Sequence, residues 1–125
     1  MAPEETNRVV RAVVVYDGGL LLVADGPAWA LPCGTPEPAE SAQATAARVV
    51  YELTGYLVDG TEALEPRGAE EADGAAAVVC QLLSGSPSDG ARLSPDRVRW
   101  APMTGPETAL LPPAVRHYLQ GHTPV

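Results

Sequence analysis

Lysine, isoleucine and phenylalanine are missing from this 125-residue chain, and cysteine occurs only twice. All three missing residues have AT-rich codons, so the bias points to a GC-rich genome rather than to a function. Its physical effect is an apolar complement of Val, Leu and Ala, with Trp29 and Trp100 as the bulky fillers. Cys33 and Cys80 are too few and too far apart for a metal-binding CxxC pair or a disulfide framework. Cys80, inside AAAVVCQLL, reads as a small buried hydrophobe, and packing is also the reading for Cys33. Positive charge is scarce as well. Eight arginines face sixteen Asp and Glu, leaving a formal charge of -8, which speaks against a nucleic-acid backbone as partner. No apolar run reaches the roughly 18 residues of a membrane span. The opening MAPEETNR lacks the apolar stretch of a signal peptide. A soluble, cytoplasmic domain covering residues 1–125 is expected, with no membrane partner.

What is present is a 46% hydrophobic chain, enough for a core, punctuated by 12 Gly and 13 Pro. Residues 8–16 (RVVRAVVVY) read as a strand, Asp17-Gly18-Gly19 as a turn, and residues 20–24 as the returning strand. A short extended piece at residues 29–31 precedes a proline-rich loop over residues 32–40. Ser41 is placed to cap a helix over residues 42–54, and Gly55 to stop it. Further strands are expected at residues 56–58, continuing through 61–64, and at 75–83 and 97–101. An acidic loop at residues 65–74 and a turn at 84–90 separate them. Pro112-Pro113 open a last helix over residues 114–120, which Gly121 ends. The order of elements gives an α+β domain with a mixed β-sheet.

One stretch, residues 34–56, carries a recognisable pattern. Gly34, Glu40, Arg48, Val50, Glu52 and Gly55 stand at the spacing of a signature that runs glycine, five residues, glutamate, seven residues, then Arg-Glu-aliphatic-x-Glu-Glu-x-Gly-aliphatic. The pattern resembles that of the Nudix hydrolase superfamily. The first strands and the C-terminal segment resemble the family too, so the likeness covers nearly the whole chain. It implies an α/β/α sandwich with the signature helix on one side of the sheet and the last helix on the other. It also implies hydrolysis of nucleoside diphosphates linked to another group, with Mg²⁺.

Here the chain departs from the family. Val49 and Leu53 stand where glutamates should, Tyr56 replaces an aliphatic residue, and Cys33 replaces a glycine. Positions 49, 52 and 53 share one helix face, so three glutamates would form a metal-binding wall. Only Glu52 remains, and no metal site is expected on this helix. An acidic protein lacking Mg²⁺ repels a pyrophosphate, since like charges about 4 Å apart cost about 4 kcal/mol at an effective dielectric near 20. Arg92, Arg97 and Arg99 read as solvated, and so do His117 and His122.

The expected role is therefore binding or processing of a small molecule without the full Mg²⁺ cluster. Glu52 is the candidate catalytic group, partly desolvated by its apolar flanks. Val49, Leu53, Cys33 and Gly34 are candidate substrate-binding residues. Glu40 and Arg48 support them, with a salt bridge between the two. Two alternatives stand beside this reading. One is a Mg²⁺-dependent hydrolase with displaced ligands, for which Glu37, Glu70, Glu71 or Asp73 could supply oxygens. The other is a silent domain that senses a ligand or docks a partner. Homodimer formation stays open.

Overall fold

A computed structural model describes residues 9–64, 76–84, 86–103, 111 and 113–122. The acidic loop, with Glu70, Glu71 and Asp73, lies outside the described residues. Strands β1 (Val10–Tyr16) and β2 (Gly19–Asp25) form a hairpin whose ends pair Tyr16 with Gly19. Its two loop residues, Asp17 and Gly18, have φ of 53° and 76°. Positive φ at both positions matches the right-handed twist of the flanking strands, and Asp-Gly tolerates it well. Strands β3 (Ala28–Ala30) and β4 (Cys33–Gly34) follow. The proline-rich loop is thus interrupted by a two-residue bridge, Val10 opposite Gly34 and Arg11 opposite Cys33.

Helix α1 (Ala42–Thr54) begins at Ser41, whose Oγ accepts from the Ala44 N–H at 3.1 Å. It ends where Gly55, at φ 83°, donates its N–H to the Tyr51 carbonyl. Strand β5 (Val58–Leu64) is one element, beginning two residues later than expected and carrying an irregularity between Gly60 and Glu62. Strands β6 (Ala76–Leu82) and β7 (Val98–Pro102) complete the sheet. Arg97, expected in the last strand, belongs to a 3₁₀ turn at Pro95–Arg97. Helix α2 (Pro113–His122) runs through Gly121 instead of stopping there. A glycine near a helix end costs only about 1 kcal/mol, too little to stop the helix by itself.

The strand order is β3-β2-β1-β6-β5, with β4 also on β1 and β7 on β2. Strands β1 and β6 are parallel; the other pairings are antiparallel. Because β1 is covered on both faces, its sequence from Ala12 to Val15 is continuously apolar instead of alternating. Val10, Ala12 and Val14 pack with Ala46 and Val50 of α1, whereas Val13 joins Val115 and Leu119 of α2. The two helices therefore take opposite faces of a mixed sheet. Trp29 and Trp100 are only half-buried and flank these cores instead of filling them.

Candidate functional site

Geometry around α1 starts with Glu40, which stands just before the helix. Its Oε2 accepts from Arg48 Nε at 2.9 Å, and its Oε1 accepts from Arg48 Nη2 at 2.9 Å. The same Oε1 accepts from the Glu37 N–H at 3.0 Å. It also lies 2.9 Å from the buried Thr45 hydroxyl, whose single proton is shared with the Ser41 carbonyl at 2.8 Å. Arg48 and these hydrogen bonds hold the Glu40 carboxyl down, from an ordinary 4.5 to about 2. Glu40 in turn raises Arg48. Arg48 Nη2 also donates to the Thr35 carbonyl at 2.9 Å, which ties the loop before the helix to its middle. The expected bridge between Glu40 and Arg48 is present.

Glu52 is placed differently from expectation. Its side chain is 41% exposed, not desolvated by apolar flanks. Its Oε1 lies 3.2 Å from Arg48 Nη1 and 4.0 Å from Arg92 Nη2. Helical spacing explains the first contact, because residues four apart share a face. The second comes from the β6–β7 connection, which lies against the end of α1. There the N–H groups of Arg92, Leu93 and Ser88 donate to the carbonyls of Glu52, Leu53 and Gly55. These bonds satisfy carbonyls that a helix end leaves unpaired.

Val49 also departs from expectation. It is only 4% exposed. A Cβ on Gly34 would meet its Cγ2 at 2.6 Å, so the two residues press together. Val49 closes the contact between helix and loop; it does not present a wide apolar surface to a cleft. Leu53 is half-buried. Cys33 is exposed and not packed, because neighbours in a strand point to opposite sides and Gly34 takes the side facing Val49. Cys80 is buried, and burial pushes its thiol up to about 12.

Two concavities adjoin the end of α1. One, of about 440 Å³, gathers Glu52 with Tyr51, Asp89 and Arg92. The other, of about 520 Å³, runs under the connection between Thr54, Tyr56, Leu93, Val98 and Trp100. Sequence reading missed Asp89 and took Arg92 as solvated, and Arg92 is indeed 70% exposed; only the path of the backbone brings the two to Glu52. Tyr56 was visible as an aromatic at an aliphatic position. Arg99, taken as solvated, lies over the Trp29 ring, 5.2 Å from its centroid.

The NUDIX domain model matches residues 6–114. No curated protein matches the chain. Among solved structures, an ADP-ribose pyrophosphatase from Streptococcus suis is similar over 90% of this chain and 83% of its own, at 18% identity and a TM-score of 0.61. A UDP-X diphosphatase is similar over 92% of this chain but only 63% of its own, at 21% identity and a TM-score of 0.61. A NUDIX hydrolase from Nitrosomonas europaea shares 27% identity over 76% of this chain and 71% of its own, with a TM-score of 0.55.

Proposed function

The chain belongs to the NUDIX family, and from that membership we propose that it binds or processes a small molecule beside Glu52, in the cytoplasm, without the family's Mg²⁺ cluster. One observation supports this reading above others. The single glutamate on the helix face is engaged by two guanidinium groups, at 3.2 and 4.0 Å, while its neighbours at 49 and 53 are hydrocarbons.

Mg²⁺ needs several oxygen ligands in near-octahedral order. Val49 and Leu53 offer none, and both Glu40 oxygens are already taken up by hydrogen-bond donors. Among the described residues, no group of three or more His, Cys, Asp or Glu is placed to hold a metal. The described residues do not fit the ion. What the site offers instead is a carboxylate acceptor, the exposed donors of Arg92, and an adjoining groove with apolar walls at Leu93 and Val98. A ligand with a polar end and an apolar body matches that set.

Thermal denaturation with millimolar Mg²⁺, with and without ADP-ribose, tests the reading together with Glu52→Gln. Mg²⁺ should move the melting temperature little. Glu52→Gln should abolish binding of whatever small molecule co-purifies, yet barely change stability, because an exposed ion pair contributes about 0–1 kcal/mol. Robust Mg²⁺-dependent hydrolysis of ADP-ribose would overturn the proposal and favour a hydrolase with displaced ligands. Ligand binding that survives Glu52→Gln unchanged would leave α1 as scaffold for a silent sensing or docking domain.

A further inference from the structure

A third concavity, of about 440 Å³, opens where the β1–β2 turn meets the end of β7. Tyr16, Asp17, Tyr56, Leu82 and Trp100 are among its walls, and it contains none of the Glu40–Arg48–Glu52 network. Three aromatic rings converge there. Trp100 lies 6.2 Å from Tyr16 with the rings inclined by 58°, and 5.4 Å from Tyr56 with an inclination of 77°. Trp100 Nε1 donates to Tyr56 Oη at 3.2 Å, which fixes that corner. Tyr16 remains 56% exposed, a large ring held at the surface instead of in the core.

The inclinations decide what fits. A flat heteroaromatic ring stacks best between parallel faces, and these rings are far from parallel. A compact cation needs no such slot, since it is attracted to any ring face within about 6 Å of the centroid. Charge agrees. Asp17 is the acid of the lining, no basic residue lines the concavity among the described residues, and the chain carries -8 overall. That field repels phosphates and attracts cations.

We propose that this concavity binds a small free alkylammonium ion, with Tyr16, Tyr56 and Trp100 as its aromatic walls and Asp17 as the counter-charge. The site shares the Tyr56 and Trp100 walls with the groove beside Glu52 but none of its charged groups. The test is a nuclear magnetic resonance titration of the intact protein with choline and, separately, with its neutral carbon isostere 3,3-dimethylbutan-1-ol. The Trp100 indole N–H is the reporter, and the Trp29 indole N–H, on β3, is the internal control.

Choline should give a saturable shift at Trp100 and the alcohol almost none. Tyr16→Ala, at an exposed position, and Asp17→Asn, which tolerates the positive φ of the turn, should each weaken choline binding several-fold with the fold intact. Glu52→Gln should leave choline binding unchanged, so this proposal and the preceding one fail separately. No saturable shift at tens of millimolar choline would overturn the site. So would equal binding of the alcohol, or full affinity in both variants. Co-sedimentation with phosphatidylcholine vesicles would overturn the free ion in favour of a lipid headgroup.

Discussion

Gly34→Ala adds one methyl group, and the structure says what that methyl meets. The new Cβ would lie 2.6 Å from Val49 Cγ2, a contact too short to persist. Val49 is 4% exposed and β-branched, so it has neither space nor rotamer freedom to retreat. Overpacking of this kind costs about 1–3 kcal/mol. Gly34 is not in the left-handed region, so alanine adds no backbone strain there. Val49→Ala alone removes two buried carbons, worth about 2 kcal/mol at about 0.8 kcal/mol per group plus a cavity contribution. In that background the alanine at 34 fits, and Gly34→Ala should become neutral or stabilising by about 0.5 kcal/mol through the unfolded chain. The double-mutant cycle should therefore show favourable coupling of about 1–3.5 kcal/mol. Urea denaturation at constant m-value measures it. Additive penalties, with coupling below about 0.5 kcal/mol, would refute the claim that Val49 is seated on Gly34.

The Glu40 carboxyl, lowered to about 2 in the folded chain, contributes stability that is fully present above pH 4.5 and lost as pH falls toward 2. Glu40→Gln should flatten the dependence of unfolding free energy on pH in that window, and Arg48→Met should move the Glu40 titration, followed by carboxyl resonance, back toward 4.5; an unmoved titration would show that Arg48 is not the cause. The two thiols should separate cleanly with an aromatic disulfide reagent. Cys33 should react at once in the native protein and Cys80 only after denaturation, because Cys80 is both buried and held protonated. Two fast thiols in the native state would contradict the packing of β6.

Local chemistry made much of the fold legible. Asp17-Gly18, Ser41 and Gly55 mark a hairpin and both ends of α1, and each acts through its own backbone or side chain within a few residues. The bridge between Glu40 and Arg48 was likewise anticipated, but not the bond from Arg48 to the Thr35 carbonyl that braces the loop. Illegible parts depend on distant backbone. Arg92 reaches Glu52 because three N–H groups of the β6–β7 connection bind carbonyls at the end of α1, and amides bear no side-chain signature. Tyr56 meets Trp100 across 44 positions, a pairing that only the sheet sets. Val49 shows a further limit: its helix face was correctly assigned, but only the neighbouring glycine decides whether that face looks into a cleft or onto a loop.

The placement of β1 has a consequence for how the chain reaches its native state. Its parallel partner β6 aligns Val10 with Ala76, so more than half of the 125 residues must be made before that edge can close. Contacts of such sequence separation incur loop-closure entropy before they return stability, and topologies rich in them fold slowly. During synthesis β1 and β2 are made first, so one side of β1, with its run of valines, waits without its neighbour. An unpaired apolar strand edge invites pairing with another chain. Substitutions that weaken β6 should thus show first as aggregation of the nascent protein, before they show as a lower melting temperature of the molecules that fold.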